Sequence, residues 1–224
     1  MPIIHVSKRP FPVKDFIVAV TAMIAMVVAS NILVQYPVAV SGLDQVLTWG
    51  AFTYPFVFLI TDLSNRRVGP AFTRKVAYIG FAVAVVMSVV LATPRIAIAS
   101  GTAFLCSQML DIVIFSRMNQ RVWWLPPFVS TLVSSAVDTA LFFSLAFYCG
   151  IVPLIGMDID SLFASLGVVG VGCVGLPWIT LAMGDFMVKI VMNLLSLAPY
   201  RYLLVRLVPG ALTVARKPRA YYEK

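Results

Sequence analysis

Long apolar runs alternate with short polar connections along most of the chain. A membrane-spanning helix needs about 20 mostly apolar residues, and runs of this length recur six times. The pattern therefore predicts an all-α, polytopic integral membrane protein in which residues 1–224 form a single transmembrane domain. The six predicted transmembrane helices are 15–38, 46–64, 74–93, 96–117, 127–149 and 174–199.

Basic residues gather on alternate connections between these spans. Of the 17 Lys and Arg residues, 15 lie before the first span, between the second and third, between the fourth and fifth, or after the sixth. On the opposite side there is only Arg95, and Lys189 lies inside the last span. Because cytoplasmic loops carry the excess of Lys and Arg, the pattern predicts that both the N- and the C-terminus are cytoplasmic.

The composition agrees with a membrane protein. Hydrophobic residues make up 61% of the chain and charged residues only 12%, whereas a soluble domain is about half apolar and a quarter charged. The net charge of +8 would suggest nucleic acid in a soluble protein. Here it is better explained by orientation in an anionic membrane. The predicted partners are therefore the lipid bilayer and a small molecule, with no nucleic acid, and a homo-oligomer is left open.

The stretch 150–175 is rich in glycine and does not fit a seventh span, which would place the basic C-terminal tail outside. We expect an outer re-entrant or interfacial segment, or an outward extension of the last helix. Residues 170–175 match GxGxxG, but the dinucleotide-binding motif needs a strand, a turn and a helix around it. Close helix packing is the better explanation of these glycines.

The sequence predicts no metal and no cofactor. His5 is the single histidine, and Cys106, Cys149 and Cys173 lie far apart in or beside apolar runs. These residues form no zinc, haem or iron–sulfur pattern. No Walker P-loop is present, so the chain carries no ATPase of its own.

Five ionisable residues lie inside predicted spans, where charge is costly unless it faces a cavity or a partner. Amides and aromatic residues accompany them on the same helices. Carboxylates accept hydrogen bonds, amides both donate and accept, and aromatic rings stack on flat ligands, so the set suits a planar, uncharged heterocycle with several N–H groups. The candidate substrate-binding residues are Asn31, Gln35, Trp49, Phe52, Tyr54, Asp62, Gln108, Asp111, Asp138, Asp185 and Lys189.

Two of these aspartates also admit a purely structural role at the ends of their helices. Asp62 can pair with Arg66 one turn later and so close its helix. Asp111 can pair with Arg117 or Arg121 near the inner surface.

The other polar candidates admit structural roles as well. Asp185 and Lys189 are in the favourable order for an intrahelical ion pair. Asn31 and Gln35 can link helices through hydrogen bonds. Asp138 has no basic residue nearby in the sequence, so it requires a tertiary partner or a ligand.

Several motifs, in order along the chain, resemble the queuosine precursor transporter family. The longest covers residues 48–63 and reads TWGAFTYPFVFLITDL. The pattern departs from the family at Ser134 and Ser135, because family members often carry Asn shortly before the Asp-Thr pair. The shorter motifs are Asn31 to Gln35, Gln108 to Asp111 with Phe115, Trp123 to Pro127 followed by Ser130-Thr131-Leu132 and Asp138-Thr139, and Asp185 with Lys189.

The resemblance implies a six-helix, multi-pass importer in the bacterial inner membrane that is not an enzyme. Its expected cargoes are 7-cyano-7-deazaguanine and 7-aminomethyl-7-deazaguanine, precursors that are salvaged for queuosine in tRNA. The implied fold is like that of the substrate-binding subunits of energy-coupling-factor vitamin transporters.

Three alternatives remain open. One is a substrate-binding subunit that needs a separate ATPase module. Another is a membrane enzyme acting on a lipid, which the scattered aspartates and lone His5 disfavour. The last is a scaffold, which would not explain so many buried charges. Proton coupling through a desolvated carboxylate is a further hypothesis.

Overall fold

A computed structural model describes residues 13–36, 38, 48–53, 55–92, 94–118, 122–147 and 178–208. Every regular element in these ranges is a helix, which confirms the predicted all-α class for this part of the chain. The helices are α1 (Val13–Leu33), α2 (Gly50–Thr53), α3 (Pro55–Arg67), α4 (Pro70–Leu91), α5 (Pro94–Arg117), α6 (Leu125–Phe147) and α7 (Trp178–Leu207).

Five of these helices, α1, α4, α5, α6 and α7, are long and apolar enough to cross a membrane. The chain is therefore a multi-pass membrane protein. The predicted span 46–64 differs, since its place is taken by α2, with 4 residues, and α3, with 13. At 1.5 Å per residue α3 covers about 20 Å, less than the roughly 30 Å hydrocarbon core. Pro55 explains why α2 ends at Thr53, because the residue before a proline is disfavoured in helical conformation.

Prolines mark most of the helix starts. Pro55, Pro70 and Pro94 each open a helix, and Pro126 and Pro127 lie in the first turn of α6. Proline suits these positions because its missing N–H would have no intrahelical acceptor there, and its ring presets the helical φ angle.

The last helix continues beyond its predicted end at 199. Pro199 lies inside α7 and removes one backbone hydrogen bond. Nevertheless the helix runs on to Leu207, because Tyr200 and Leu204 pack with Leu59 of α3 in a buried apolar cluster. This tertiary packing offsets the local preference of the proline.

Helix α3 lies at the centre of the bundle and contacts α1, α4, α5, α6 and α7. Around it, α1 packs on α4, α4 on α5, α5 on α6, and α6 on α7. A second apolar cluster joins Met23 of α1, Val57 of α3, Val76 of α4 and Phe104 of α5. The outer surfaces of the long helices expose large apolar side chains, as contact with lipid requires.

One end of the bundle is basic. Arg67, at the end of α3, donates hydrogen bonds to the Asp15 carboxylate at 2.9 and 3.0 Å and to the Leu207 carbonyl at 2.8 Å. The start of α1 and the ends of α3 and α7 therefore meet there. Arg95, at the start of α5, binds the Leu145 carbonyl near the far end of α6 at 3.2 Å. The other described basic residues near the helix ends on this side are Lys14, Arg66, Arg74, Lys75, Arg117 and Arg206.

Candidate functional site

A stripe of buried polar side chains runs along α6. Residues three or four apart share one face of a helix, and this stripe comprises Ser130, Thr131, Ser134, Ser135, Asp138 and Thr139, all buried. From Thr131 to Asp138 the helix rises about 10 Å. Polar groups of α3, α5 and α7 meet the stripe inside the bundle. We call the assembly the polar column and define it as Asp62, Ser107, Gln108, Asp111, Ser130, Thr131, Ser134, Asp138, Thr139, Asp185, Lys189 and Tyr200.

Toward the end of the bundle opposite Arg67, the column contains an ion network centred on Lys189. Its Nζ lies 2.9 Å from Asp138 Oδ2 and 2.6 Å from Asp185 Oδ2. The Thr139 hydroxyl lies 2.7 Å from Asp185 Oδ2 and 3.0 Å from Lys189 Nζ. Ser107 Oγ of α5 donates to Asp138 Oδ1 at 3.1 Å. The predicted Asp185–Lys189 pair is confirmed, and Lys189 is also the tertiary partner that Asp138 requires.

Toward the basic end, the column contains two carboxyl groups in contact, which we call the acid pair. Asp62 of α3 and Asp111 of α5 are neighbours inside the bundle and are 3% and 1% exposed. Thr131 Oγ1 donates to Asp62 Oδ2 at 3.4 Å. Asp111 thus packs against an acidic neighbour from another helix, whereas the sequence suggested Arg117 or Arg121 as a structural partner. Arg121 lies outside the described residues.

Below the acid pair, a hydrogen-bonded contact fixes α3 against α5. Asn65 Nδ2 donates to the Ile112 carbonyl at 3.1 Å and to Ser116 Oγ at 3.2 Å. Because Asn65 follows Asp62 by three residues, and Ile112 follows Asp111 directly, this contact sets the distance between the two carboxyl groups. The acid pair is therefore held by the packing of two helices rather than by a loop.

Several polar groups of the column are buried without a hydrogen-bond partner among the described residues. Among the described residues, neither Nε2 nor Oε1 of Gln108 has a hydrogen-bond partner, nor does Ser134 Oγ. The same holds for Ser130 Oγ, Tyr200 Oη and one oxygen of each acid-pair residue. A buried polar group without a partner costs about 1–3 kcal/mol, and native structures keep few of them. Their concentration in one column indicates a place built to receive a hydrogen-bonding ligand.

A second group of candidates lies around the C-terminal end of α1, at the opposite end of that helix from Asp15. Asn31 Oδ1 accepts a hydrogen bond from Ser88 of α4 at 3.3 Å, so this amide links two helices. Gln35 is exposed and donates weakly to the Asn31 carbonyl at 3.4 Å.

The aromatic candidates of the long motif lie near α2. The rings of Trp49 and Phe52 are 5.7 Å apart at a tilt of 45°, and Trp49 is exposed. Ser30 and Thr53 join α1 to α2 through a hydrogen bond of 3.0 Å between their hydroxyl groups. Tyr54 lies outside the described residues, as does the glycine-rich stretch 150–175.

An apolar cavity of about 490 Å³ lies away from the polar column, between α4 and α5. Phe81, Val85, Ile98, Leu105 and the exposed Cys106 contribute to its walls. It offers a flat heterocycle almost no hydrogen-bonding partner, so its chemistry suits lipid chains. In the described part of the chain, no three acidic, histidine or cysteine side chains are grouped as metal ligands.

The polar column falls within a recognised family pattern. A family model described as "Putative vitamin uptake transporter" matches residues 48–93 and 86–204, well over half of the chain. The chain belongs to the queuosine precursor transporter family. This is a family of transporters and not of enzymes. The matched segments carry both the acid pair and the ion network.

Three relatives with curated names lie in this family. The "Queuosine precursor transporter" of Escherichia coli (strain K12) is 36% identical over 144 residues, or 55% of this chain. A "Probable queuosine precursor transporter" of Haemophilus influenzae is 33% identical over 156 residues, or 56% of this chain. The chain covers 64% and 66% of these two relatives' own lengths, which is less than two thirds. A "Probable queuosine precursor transporter" of Bacillus subtilis is 27% identical over 211 residues, covering 82% of this chain and 81% of the relative. No solved structure matches the chain.

Several members of the column are absent from the candidates predicted by sequence. Thr131, Ser134 and Thr139 had a detectable signal, since hydroxyl residues recur at helical spacing with Asp138 on an otherwise apolar helix. Ser107 had a weaker sequence signal, namely its position directly before the candidate Gln108. Tyr200 had none, because it follows Pro199 in a basic segment that the hydrophobic pattern places outside the last span.

Proposed function

We propose that the chain imports the queuosine precursors 7-cyano-7-deazaguanine and 7-aminomethyl-7-deazaguanine across the bacterial inner membrane. Family membership and the names of the E. coli and H. influenzae relatives support this cargo class. In this proposal α2 and α3 together act as the second of six spans, in a fold like the energy-coupling-factor binding subunits. The basic end around Arg67 faces the cytoplasm, because Lys and Arg are enriched on that side of membrane proteins.

The cargo binds in the middle of the polar column, beside Gln108. The observation that carries this assignment is the Gln108 side chain, which is fully buried while both of its polar atoms lack a partner among the described residues. A guanine-like edge presents a carbonyl acceptor next to N–H donors, and an amide is the side chain that can both donate to one and accept from the other. Ser134 lies on α6, which packs against α5, and adds a buried hydroxyl that has no partner among the described residues.

The ion network supplies a carboxylate to the same site. Lys189 and Ser107 hold Asp138 in a fixed orientation, and a carboxylate is a strong acceptor for a ligand N–H. Asp185 balances Lys189 from the other side at 2.6 Å. We assign Asp138 to cargo contact, and Asp185 and Lys189 to positioning it. Import then requires the column to open alternately toward each side of the membrane.

The test is queuosine in the tRNA of cells that cannot make the precursor, supplied with nanomolar 7-cyano-7-deazaguanine. We expect the wild-type chain to restore queuosine and Gln108→Leu to fail. Cys106→Leu is the matched control, because Cys106 lies on the same helix but faces outward. Failure of the wild-type chain despite confirmed membrane insertion would reject unaided import of this cargo.

Experiments on purified protein distinguish a transporter that works alone from a binding subunit of a larger importer. If the chain is a binding subunit of a multi-subunit importer, it will bind the precursor in detergent yet will not carry it into liposomes on its own. If it binds neither precursor, a 7-deazaguanine cargo is rejected.

A further inference from the structure

The acid pair has no role in the proposed cargo contacts, yet it is the most deeply buried acidic group in the described bundle. Its two carboxyl groups belong to different helices, α3 and α5, and lie beside each other. The Asn65 contacts with Ile112 and Ser116 hold the two helices at this separation. The packing of α3 against α5 therefore keeps the two carboxyl groups next to each other.

Two ionised carboxylates in contact inside a bundle repel each other strongly, so the pair is stable when one proton lies between them. The cations nearby do not remove this requirement. Lys189 is bound by Asp138 and Asp185 about two turns away along α6. Arg66 lies one turn beyond Asp62 on α3, at the basic end, where its charge is close to Tyr200. A single shared proton makes Asp62 a donor and Asp111 an acceptor, or the reverse.

The surroundings of the pair are also suited to its deprotonated form. Ser130 of α6 is fully buried beside both carboxyl groups. Tyr200 of α7 is 1% exposed and close to both acids, and its hydroxyl has no hydrogen-bond partner among the described residues. When the shared proton leaves, these two hydroxyl groups can donate to the extra negative charge.

We propose that the Asp62–Asp111 pair is a proton-binding site that gains and loses one proton in each transport cycle and so couples import to the proton gradient. The step moves a proton between this pair and water and changes no other bond. Because the carboxyl groups belong to α3 and α5, loss of the proton turns attraction between the helices into repulsion. The charge state can thereby bias which side of the bundle is open. The coupling rests on the proposed import function, whereas the proton site itself does not.

The first measurement needs no cargo. Infrared spectroscopy of the purified protein, titrated with pH, should show a protonated buried carboxyl band that shifts in Asp62→Asn and in Asp111→Asn and disappears when both residues are replaced. Asp15→Asn is the matched control, since Asp15 is about one third exposed and pairs with Arg67 at the bundle end. A spectrum with no such band, or a band that the variant with both replacements keeps, would overturn the proton site.

The second measurement uses protein in liposomes with labelled 7-cyano-7-deazaguanine. We expect an acidic exterior to drive wild-type accumulation at least several-fold above equilibrium, and a protonophore to abolish it. Asp62→Asn should lose gradient-driven accumulation, while Asp15→Asn behaves as wild type. Accumulation that ignores the proton gradient, or that follows a sodium gradient instead, would overturn the coupling. If the wild type shows no cargo exchange while the infrared band is present, the proposed cargo fails and the proton site stands.

Discussion

The Lys189 ammonium group of α7 lies 2.9 Å from the Asp138 carboxylate of α6, so an ion pair joins the two helices inside the bundle. Lys189 also contacts Asp185 one turn earlier on its own helix. A single cation therefore serves two carboxylates. Removing one partner from a buried pair leaves an uncompensated charge, which is far more destabilising than replacing the whole network with neutral groups.

Lys189→Met should lower the free energy of unfolding by about 3–5 kcal/mol, the usual loss when a buried pair is broken. Neutralising one acid in the same chain should restore only part of this, because the other acid stays unpaired. Asp138 is the more buried of the two, with 7% side-chain exposure against 22% for Asp185. Lys189→Met with Asp138→Asn should therefore be more stable than Lys189→Met with Asp185→Asn.

Thermal unfolding in detergent ranks these Lys189→Met variants by stability. The triple variant, with both acids neutralised, should be the most stable of the three Lys189→Met combinations. An equal loss in all of them would contradict the shared network and would leave Lys189 important only for packing.

Gln108→Leu should separate stability from transport. The amide is fully buried, and neither of its polar atoms has a partner among the described residues, so an apolar side chain of similar size removes a desolvation cost. We expect the free energy of unfolding to stay the same or to rise by about 1 kcal/mol, while precursor binding is lost. Detergent unfolding and labelled-precursor binding on the same sample test both parts. A clear loss of stability would show that the amide is held by groups other than those described.

The ion pair at the basic end should contribute little to stability. Arg67 and Asp15 are about one third exposed, with 36% and 32% of their side-chain area accessible, and exposed pairs usually contribute about 0–1 kcal/mol. Arg67→Gln keeps a hydrogen-bond donor for the Leu207 carbonyl but removes the charge. Its unfolding temperature should stay close to that of the wild type, and raising the salt concentration should reduce any difference. A loss as large as that of Lys189→Met would contradict the assignment of this contact to the solvated bundle end.

Contacts that follow from helical spacing could be predicted from the sequence, whereas contacts between helices could not. Asp185 and Lys189 are four residues apart on one apolar helix, and their pairing follows from local geometry. The contact of Asp62 with Asp111 depends on how α3 packs against α5, which the hydrophobic pattern does not encode. The same reason explains why Lys189 was expected to bind one aspartate and binds two.

The bounds of the central helix α3 also could not be predicted from the hydrophobic pattern alone. The apolar run 46–64 has the length of a span, so hydropathy alone predicted one continuous helix. Pro55 divides it into α2 and α3, and α3 then carries Asp62 into the middle of the bundle. The predicted last span ended at 199, yet packing of Tyr200 and Leu204 against α3 carries α7 on to Leu207. Local backbone preference therefore decided the break between α2 and α3, and tertiary packing decided where α7 ends.

Gly50 should be the least replaceable of the glycines described in helices. A Cβ atom there would lie 2.9 Å from the Cα and the backbone nitrogen of Val34, and backbone atoms cannot move aside as a flexible side chain can. Gly50→Ala should therefore push α2 away from the end of α1 and weaken the hydrogen bond between Ser30 and Thr53. We expect a loss of about 1–3 kcal/mol in the free energy of unfolding, as for other overpacked sites.

Gly101→Ala on α5 is the matched control for Gly50→Ala. Its Cβ would meet side-chain atoms of Phe81 and Val85 at 3.5 Å, an ordinary van der Waals distance. Inside a helix alanine is favoured over glycine by about 1 kcal/mol, so this variant should be as stable as the wild type or more so. Thermal unfolding of both variants in the same detergent gives the comparison. If Gly50→Ala unfolds at the wild-type temperature, then α2 can shift freely, and its close approach to α1 does not contribute to the stability of the bundle.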